Sequence, residues 1–174
     1  MKSHLLILMV VLVSLIAHGV NMFHFPYYEN DEGVYMSQGW SLLKFGELAP
    51  YTYWYDHAPA GWFLIALWLF LTGGIFTFGF SINSGRVLIL ILHLFSVIFI
   101  FKIAHKLTQN QWIAVIACIF FALSPLQIYF GRRVLLDNIM IFWVLLSYLL
   151  LLTQNLKLTH IFQSAVTFGL AVLT

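Results

Sequence analysis

Long apolar runs separated by short polar breaks are the feature that most limits how this chain can fold. The first run, LLILMVVLVSLIAHGVNMF, covers residues 5–23, about the length of a helix that crosses the hydrocarbon core of a bilayer. Later runs cover residues 82–104, 112–130 and 134–153, and a last one begins at residue 158 and continues to residue 174. Inside lipid a backbone satisfies its own polar groups only as a helix or a closed barrel. The pattern predicts an all-α, polytopic transmembrane bundle with about five spans.

Composition supports a membrane protein and excludes several other classes. The chain is 62% hydrophobic and 8% charged, against roughly 25% charged residues in a soluble domain. A net charge of +2 from scattered basic residues excludes a nucleic-acid partner. Cys118 is the only cysteine, so no disulfide framework or cysteine metal site is expected. The sequence therefore predicts membrane lipids and lipid-borne molecules as partners. It contains no metal-ligand set and implies no cofactor, and it leaves open a divalent ion at an acid pair.

The topology of the first half depends on one ambiguous run. Lys2 precedes the first apolar run and no cleavage site follows, which predicts an uncleaved signal anchor and an extracytoplasmic loop over residues 24–58. This loop covers residues 24–81 if the next apolar run does not cross. The run at 59–80 is long enough to cross, but two glycines at 73 and 74 interrupt it. If it crosses, Asp31 and Asp137 lie on opposite sides of the membrane. If it lies at the interface, they share one side.

The positive-inside tendency does not decide between these alternatives. The eight Lys and Arg residues place four on each side of the membrane under both topologies. The last run ends at Thr174 without a charged or polar tail. We therefore expect one N-terminal membrane domain over residues 1–174, truncated within an incomplete fifth span at 158–174.

Half of the six acidic residues fall within four positions of the first loop. Asn30 or Asp31 is predicted to cap a helix over about residues 32–45 that ends at Gly46. Asp31 and Glu32 would favour the positive end of that helix, and Glu29 would be a solvated loop acid. Residue types alone leave helix capping and a chemical role for Asp31 and Glu32 both open.

Two further groups carry side chains suited to chemistry. The stretch GRRVLLDN, residues 131–138, places Arg132 and Arg133 just before a span whose first turn contains Asp137. Arginine presents planar donors that suit phosphate oxygens, although a solvated Arg–Asp pair at the interface explains the same pattern. In YDHAPAGWF, His57 adjoins an acid before Pro59, and a loop histidine of this kind is either incidental or functional.

Three stretches in this order, NDEGVYMSQGWSLLKFG, HAPAGWFLIALWLFLTG and GRRVLLDNIMIFW, resemble the N-terminal part of polyprenyl-phosphate-sugar-dependent glycosyltransferases. This group includes the protein O-mannosyltransferases and the lipid A aminoarabinose transferases. The resemblance covers nearly the whole chain and implies a GT-C fold. It also implies two interfacial helices in the first extracytoplasmic loop, at about 32–45 and 59–73. Asp31 and Asp137 would then share the outer side of the plasma membrane.

The resemblance also implies residue roles. Asp31 would be the catalytic base, and Glu32 would assist its position or that of the acceptor. His57 and Arg132 match positions near the donor phosphate, and Arg133, which has no equivalent charge in the usual family pattern, is grouped with them. Asp137 matches the second family aspartate and would support the site, while Ala58 replaces a common proline.

The implied reaction moves a sugar from a polyprenyl-phosphate donor to a protein, lipid or glycan acceptor, with inversion at the anomeric carbon. The alternative, from residue chemistry alone, is a transport or scaffolding membrane protein. In that class Asp137 and the arginines would line a path between the spans.

Overall fold

The computed structural model describes residues 3–50, 57–153 and 155–174, and within them the protein is all-helical, as predicted. Residues 51–56, which belong to the predicted loop over 24–81, lie outside the described residues. Lys2, at the start of the predicted signal anchor, also lies outside them. The eight helices of the described part are α1 (Ser3–Gly19), α2 (Asn30–Phe45), α3 (Ala60–Thr72), α4 (Ser81–Thr108), α5 (Gln111–Leu123), α6 (Pro125–Phe130), α7 (Leu136–Leu151) and α8 (Leu158–Val172).

Each apolar run contains a helix, but the helix ends differ from the predicted ones. α1 ends at Gly19 rather than at residue 23, and Asn21 takes a left-handed conformation with φ 58°. The run at 112–130 is broken, because Ser124 is extended at ψ 131° and Pro125 starts the separate helix α6. A proline has no N–H to continue the ladder of α5, so the helix breaks at Pro125.

By length and composition, α4 alone among the described helices is long and apolar enough to cross a membrane. The apolar helices α1, α3, α5, α7 and α8 have 10–17 residues each. The number of spans therefore stays a prediction.

α4 is the central helix, and two contacts fix the directions of its neighbours. Ser14 of α1 bonds His93 of α4 at 2.8 Å, and Cys118 of α5 contacts the Val97 carbonyl at 3.4 Å. α1 and α5 both run antiparallel to α4 and share a buried cluster with its second half. The members of that cluster are Leu6, Val10, Val97, Phe101, Ala114, Val115, Cys118 and Ala122.

α7 runs alongside α4 and is covered by α8. Ser147 and Ser164 exchange hydrogen bonds, with each hydroxyl donating to the other residue's carbonyl at 2.9 and 3.0 Å. These small side chains let the two helix backbones approach closely. The start of α7 lies beside the start of α4, since a Cβ at Gly85 would be 2.6 Å from Val134.

The α2–α3 pair packs on the bundle at the end where α4 begins, which we call the site end. The Trp68 indole of α3 donates to the Ser84 carbonyl of α4 at 2.8 Å, and the Ala60 N–H donates to the Leu173 carbonyl at 2.8 Å. Both the start and the second half of α3 therefore contact the site end. The close fit needs glycine, because a Cβ at Gly39 would be 2.5 Å from the Ile65 side chain.

The predicted cap of α2 was wrong by one or two residues. Glu29 is the N-cap in an extended conformation, and Asn30 and Asp31 already belong to the helix. The Glu29 N–H donates to Glu32 Oε2 at 3.2 Å, which supplies the capping contact from inside the first turn. The predicted stop is confirmed, because Gly46 is left-handed at φ 74° and its N–H donates to the Leu42 carbonyl.

Candidate functional site

A buried ion pair between Glu32 of α2 and Arg86 of α4 forms the centre of the site end. Arg86 Nε donates to Glu32 Oε1 at 2.9 Å and Arg86 NH2 donates to Oε2 at 2.7 Å. Both side chains have 0% exposure. Charges buried this deeply are tolerated only when paired and hydrogen-bonded, and the bidentate geometry meets that requirement.

The ion pair also holds two loops. Arg86 NH1 donates to the carbonyls of Met22 and Pro26 at 2.7 and 2.9 Å, so it fixes the connection between α1 and α2. Glu32 Oε1 accepts the Val134 N–H at 3.0 Å, which fixes the connection between α6 and α7. Glu32 therefore receives hydrogen bonds from a guanidinium and from two backbone N–H groups, those of Glu29 and Val134.

Arg86 was not singled out from the sequence. It lies inside an apolar run, and its partner is 54 positions away along the chain. The signal that could have found it is a lone arginine near the start of a predicted span, since a charge there needs a partner.

Asp31 and Asp137 are both exposed, each in the first turn of its helix. Asp31 adjoins Glu32, and Asp137 follows Val134 by one helical turn. Because the Glu32 carboxylate contacts the Val134 N–H, the two aspartates lie at the same end of the bundle. The exposed Asp31 carboxylate is accessible to a second molecule, whereas the Glu32 carboxylate is enclosed.

Glu29 is exposed, with 44% of its side chain accessible, as predicted for a loop acid, and it also pairs with Arg133 NH1. Arg133 NH2 donates to the Tyr129 hydroxyl at 2.9 Å, and the guanidinium lies 4.2 Å from the Tyr129 ring centre. An Arg–Asp pair within GRRVLLDN was the alternative interpretation, and the carboxylate that pairs with Arg133 is that of Glu29.

Arg132 contacts the end of α1 and the loop after it. Its guanidinium donates to the carbonyls of Ala17 and Phe25. Burial, together with the nearby Arg86 charge, lowers the pKa of Arg132. Among the described residues, the buried Nε atoms of Arg132 and Arg133 have no hydrogen-bond partner. An anion placed against these atoms would stabilise both cations.

His57 is exposed in the segment before α3 and contacts the helix that carries Asp31. Its Nε2 atom lies 3.2 Å from the Tyr35 hydroxyl, and the two rings meet edge to face at 84°. Tyr35 lies one turn after Asp31 on α2. The structure therefore brings His57 to the site end, close to Asp31, while Arg132 and Arg133 reach that end through the loop before α7.

An aromatic cavity of about 540 Å³ lies beside the ion pair. The Tyr28 ring separates the two, since its centre is 4.8 Å from the Arg86 guanidinium and its hydroxyl donates to Asn83 Oδ1 at 3.0 Å. The cavity is lined by Phe23, His24, Pro26, Tyr27, Tyr28, Gly79, Phe80 and Asn83. Within the part of the chain that the structure describes, no three His, Cys, Asp or Glu residues form a metal-binding group.

A family model for dolichyl-phosphate-mannose-protein mannosyltransferases matches residues 56–174. The chain belongs to this family. The predicted resemblance is thereby confirmed, and members of the family are integral membrane proteins. The family implies a membrane glycosyltransferase that uses a polyprenyl-phosphate sugar donor. No curated protein and no solved structure matches the chain. The matched range includes His57, Arg132, Arg133 and Asp137, whereas Asp31 and Glu32 precede it.

Proposed function

We propose that this protein transfers a sugar from a polyprenyl-phosphate donor to an acceptor hydroxyl at the extracytoplasmic face of the membrane. One observation carries the proposal: Glu32 contacts both Arg86 and the backbone of Val134. This contact joins the helix start that bears Asp31 to the loop that bears Arg132. A carboxylate that can accept a proton and a cation that can bind phosphate are thereby held at one end of the bundle.

Asp31 is the proposed catalytic base. Its carboxylate accepts the proton of the acceptor hydroxyl while the acceptor oxygen attacks the anomeric carbon of the donor sugar. The bond between that carbon and the phosphate oxygen breaks, and the lipid phosphate leaves with the electron pair. Attack from the side opposite the phosphate inverts the anomeric centre.

Arg132, Arg133 and His57 are the proposed binding groups for the donor phosphate. Negative charge grows on the leaving oxygen during the reaction, so cations held in place before the reaction lower its barrier. Arg132 is the best suited of the three, because its described contacts are to backbone carbonyls and its charge is not neutralised by a carboxylate. Arg133 already pairs with Glu29, and a phosphate would compete with that contact.

Glu32 is better explained as a positioning residue than as a second base. Its two oxygens accept hydrogen bonds from Arg86, Val134 and Glu29. It fixes the first turn of α2 and hence the place of Asp31. Asp137 would act similarly at the start of α7, as a supporting carboxylate at the rim of the site.

The two ends of the bundle differ in their acidic residues, and we place the site end on the extracytoplasmic side. The described acidic residues lie in the segments at or attached to this end, where Arg86 and Arg133 are paired with them. Lys102 and Lys106, in the last two turns of α4, and Lys157, just before α8, lie at the opposite end. Lys44 of α2 and the three arginines lie at the site end, so a count of basic residues does not orient the bundle. The extracytoplasmic orientation of the site end follows from the family resemblance. α2 and α3, which both contact the site end, would then be the two interfacial helices.

The central test uses the full-length gene product in membranes, with dolichyl-phosphate-mannose as donor and initial rates as the measurement. Asp31→Asn keeps the size of the side chain and removes the base, so kcat should fall by about 10²–10⁴-fold. Arg132→Ala should raise the KM for the donor and also lower kcat, because the cation binds the donor phosphate and stabilises the charge that grows on it. Glu47→Gln, an exposed acid beyond the end of α2, is the matched control and should change neither constant. Undiminished transfer in both Asp31→Asn and Arg132→Ala would exclude the mechanism.

The topology has its own test. Single cysteines at positions 31 and 137, in a variant in which Cys118 is replaced by Ala, should both react with a membrane-impermeant maleimide added outside intact cells. Labelling of one position from outside and of the other only after permeabilisation would contradict the shared site. Labelling of position 31 together with protection of position 137 would favour a transport path between the helices, because Asp137 lines the path in that class.

A further inference from the structure

We propose that Tyr35 is a positioning residue that orients His57 toward the donor phosphate. The inference rests on the proposed function and extends it to a residue outside the predicted site. Its basis is the 3.2 Å contact between the Tyr35 hydroxyl and His57 Nε2, together with the perpendicular packing of the two rings.

The two partners differ in how firmly the fold holds them. Tyr35 is 8% exposed and belongs to the main buried cluster, beside Met36 and near Ile65 of α3. Its ring is therefore fixed by packing. His57 is exposed and stands before the first turn of α3. A fixed hydroxyl that contacts an exposed ring is suited to restrict the orientations of that ring.

The position of Tyr35 on α2 connects this contact to the base. Asp31 and Tyr35 are four positions apart, so their side chains lie on the same face of the helix. Glu32, between them, fixes the helix to α4 through Arg86. The same rigid helix, α2, thereby positions both the His57 ring and the Asp31 carboxylate.

The chemistry of a tyrosine hydroxyl suits this role, because it both donates and accepts hydrogen bonds. Of the two neutral tautomers of His57, this role requires the one with its proton on Nδ1, in which Nε2 accepts a hydrogen bond from the Tyr35 hydroxyl. When His57 is an imidazolium, Nε2 donates to the Tyr35 oxygen and Nδ1 still carries a proton. In both states the contact is kept, and Nδ1–H is a donor of the kind that a phosphate oxygen accepts.

The expected consequence is a loss of donor binding with little change in the chemical step. Tyr35→Phe keeps the ring and the buried packing while removing the hydroxyl. The KM for dolichyl-phosphate-mannose should rise about three- to tenfold, the range expected for one hydrogen bond, and kcat should change less than twofold, a size within the scatter of such measurements. The affinity for sugar-free polyprenyl phosphate, measured by ligand-induced thermal shift of the purified protein, should fall by the same factor.

A double-mutant cycle separates positioning from a merely structural role. If Tyr35 acts through His57, the variant carrying Tyr35→Phe and His57→Ala should bind donor no more weakly than His57→Ala alone. Tyr28→Phe is the matched control, because it removes a hydroxyl that bonds Asn83 and Phe23 in the same region. Its effect should add to that of His57→Ala. Should Tyr35→Phe fail to fold, Tyr35→Met removes the same hydroxyl with a flexible apolar side chain that suits the buried cluster, and it carries the same expectation.

Each outcome distinguishes this inference from the proposed function. Sugar transfer with an unchanged donor KM in Tyr35→Phe, or full additivity with His57→Ala, would overturn the positioning role alone. Absence of transfer in the wild-type protein, with weaker polyprenyl-phosphate binding in Tyr35→Phe, would overturn the transferase and leave the role of Tyr35 intact. A wild-type protein that binds no polyprenyl phosphate would overturn both.

Discussion

Two groups of buried polar side chains along α4 obtain their hydrogen-bond partners in different ways. At the start of the helix, Arg86 and Glu32 are charged and pair with each other. Two turns later, His93 bonds Ser14 at 2.8 Å, accepts a hydrogen bond from Gln127 at 3.3 Å, and has its ring stacked 3.7 Å from that of His18. The first group is an ion pair and the second contains only hydrogen bonds among side chains that can be neutral.

The difference follows from the distance to water. A charge near the end of a bundle can reach loop carbonyls and interfacial water, whereas deeper in the bundle neutral donors and acceptors are far less costly. The histidine group also provides a hydrogen bond to a backbone carbonyl at the break between α5 and α6. α5 ends at Leu123, so the Ala122 carbonyl has no partner within its helix, and His18 Nε2 donates to it at 2.8 Å. The charged group therefore holds loops around the site, and the neutral group holds a broken helix in place.

The largest expected effect comes from breaking the charged group. Glu32→Leu leaves the Arg86 guanidinium buried without its carboxylate, which should cost about 3–5 kcal/mol in the free energy of unfolding. Denaturant titration of the purified protein in micelles measures it. The double change Glu32→Leu and Arg86→Met removes both charges and should recover much of that loss. A double variant as unstable as the single one would show that the loop contacts of Arg86, rather than the pairing of charges, dominate.

An intermediate effect is expected from the neutral group. His18→Leu leaves the Ala122 carbonyl buried without a donor, and the cost should be about 1–3 kcal/mol. His4→Leu, the same substitution at an exposed position of α1, is the control and should stay within about 0.5 kcal/mol of the wild type. Equal stability of the two variants would contradict a stabilising hydrogen bond from His18 to the Ala122 carbonyl.

The smallest effect is expected at the partly exposed pair of Glu29 and Arg133. Glu29 is half in water, so the attraction is screened, and Glu29→Gln should cost only about 0.2–1 kcal/mol. The cost should shrink further when the titration is repeated in 1 M salt, because the Debye length, over which exposed charges are screened, then falls to roughly 3 Å. A salt-independent loss as large as that of Glu32→Leu would mean that exposure does not separate the two ion pairs.

Local features of the fold could be predicted from the sequence because they depend on neighbouring residues. The stop at Gly46 and the break at Pro125 follow from what glycine and proline backbones permit, and the all-helical fold follows from the apolar runs. The end of α1 could not be placed to the residue, since apolar side chains continue beyond Gly19 and only the loop conformation decides it.

The sequence predicted candidate residues for the site but not the contacts that position them. Asp31, His57 and Arg132 were named as candidates, and Glu32 as a residue that assists the position of Asp31, but Arg86 and Tyr35 were not. Both contact partners distant in sequence, at separations of 54 and 22 positions. Such partners are set by how α2 and α3 pack on α4, which no local pattern encodes.

The contacts of Arg86 have a consequence for how substrates enter. One guanidinium holds the carbonyls of Met22 and Pro26 and the carboxylate of Glu32, so this stretch of chain is anchored at three points. These contacts fix residues 22–32 to the start of α4. A movement that opens the site therefore either leaves this stretch in place or breaks the contacts of Arg86.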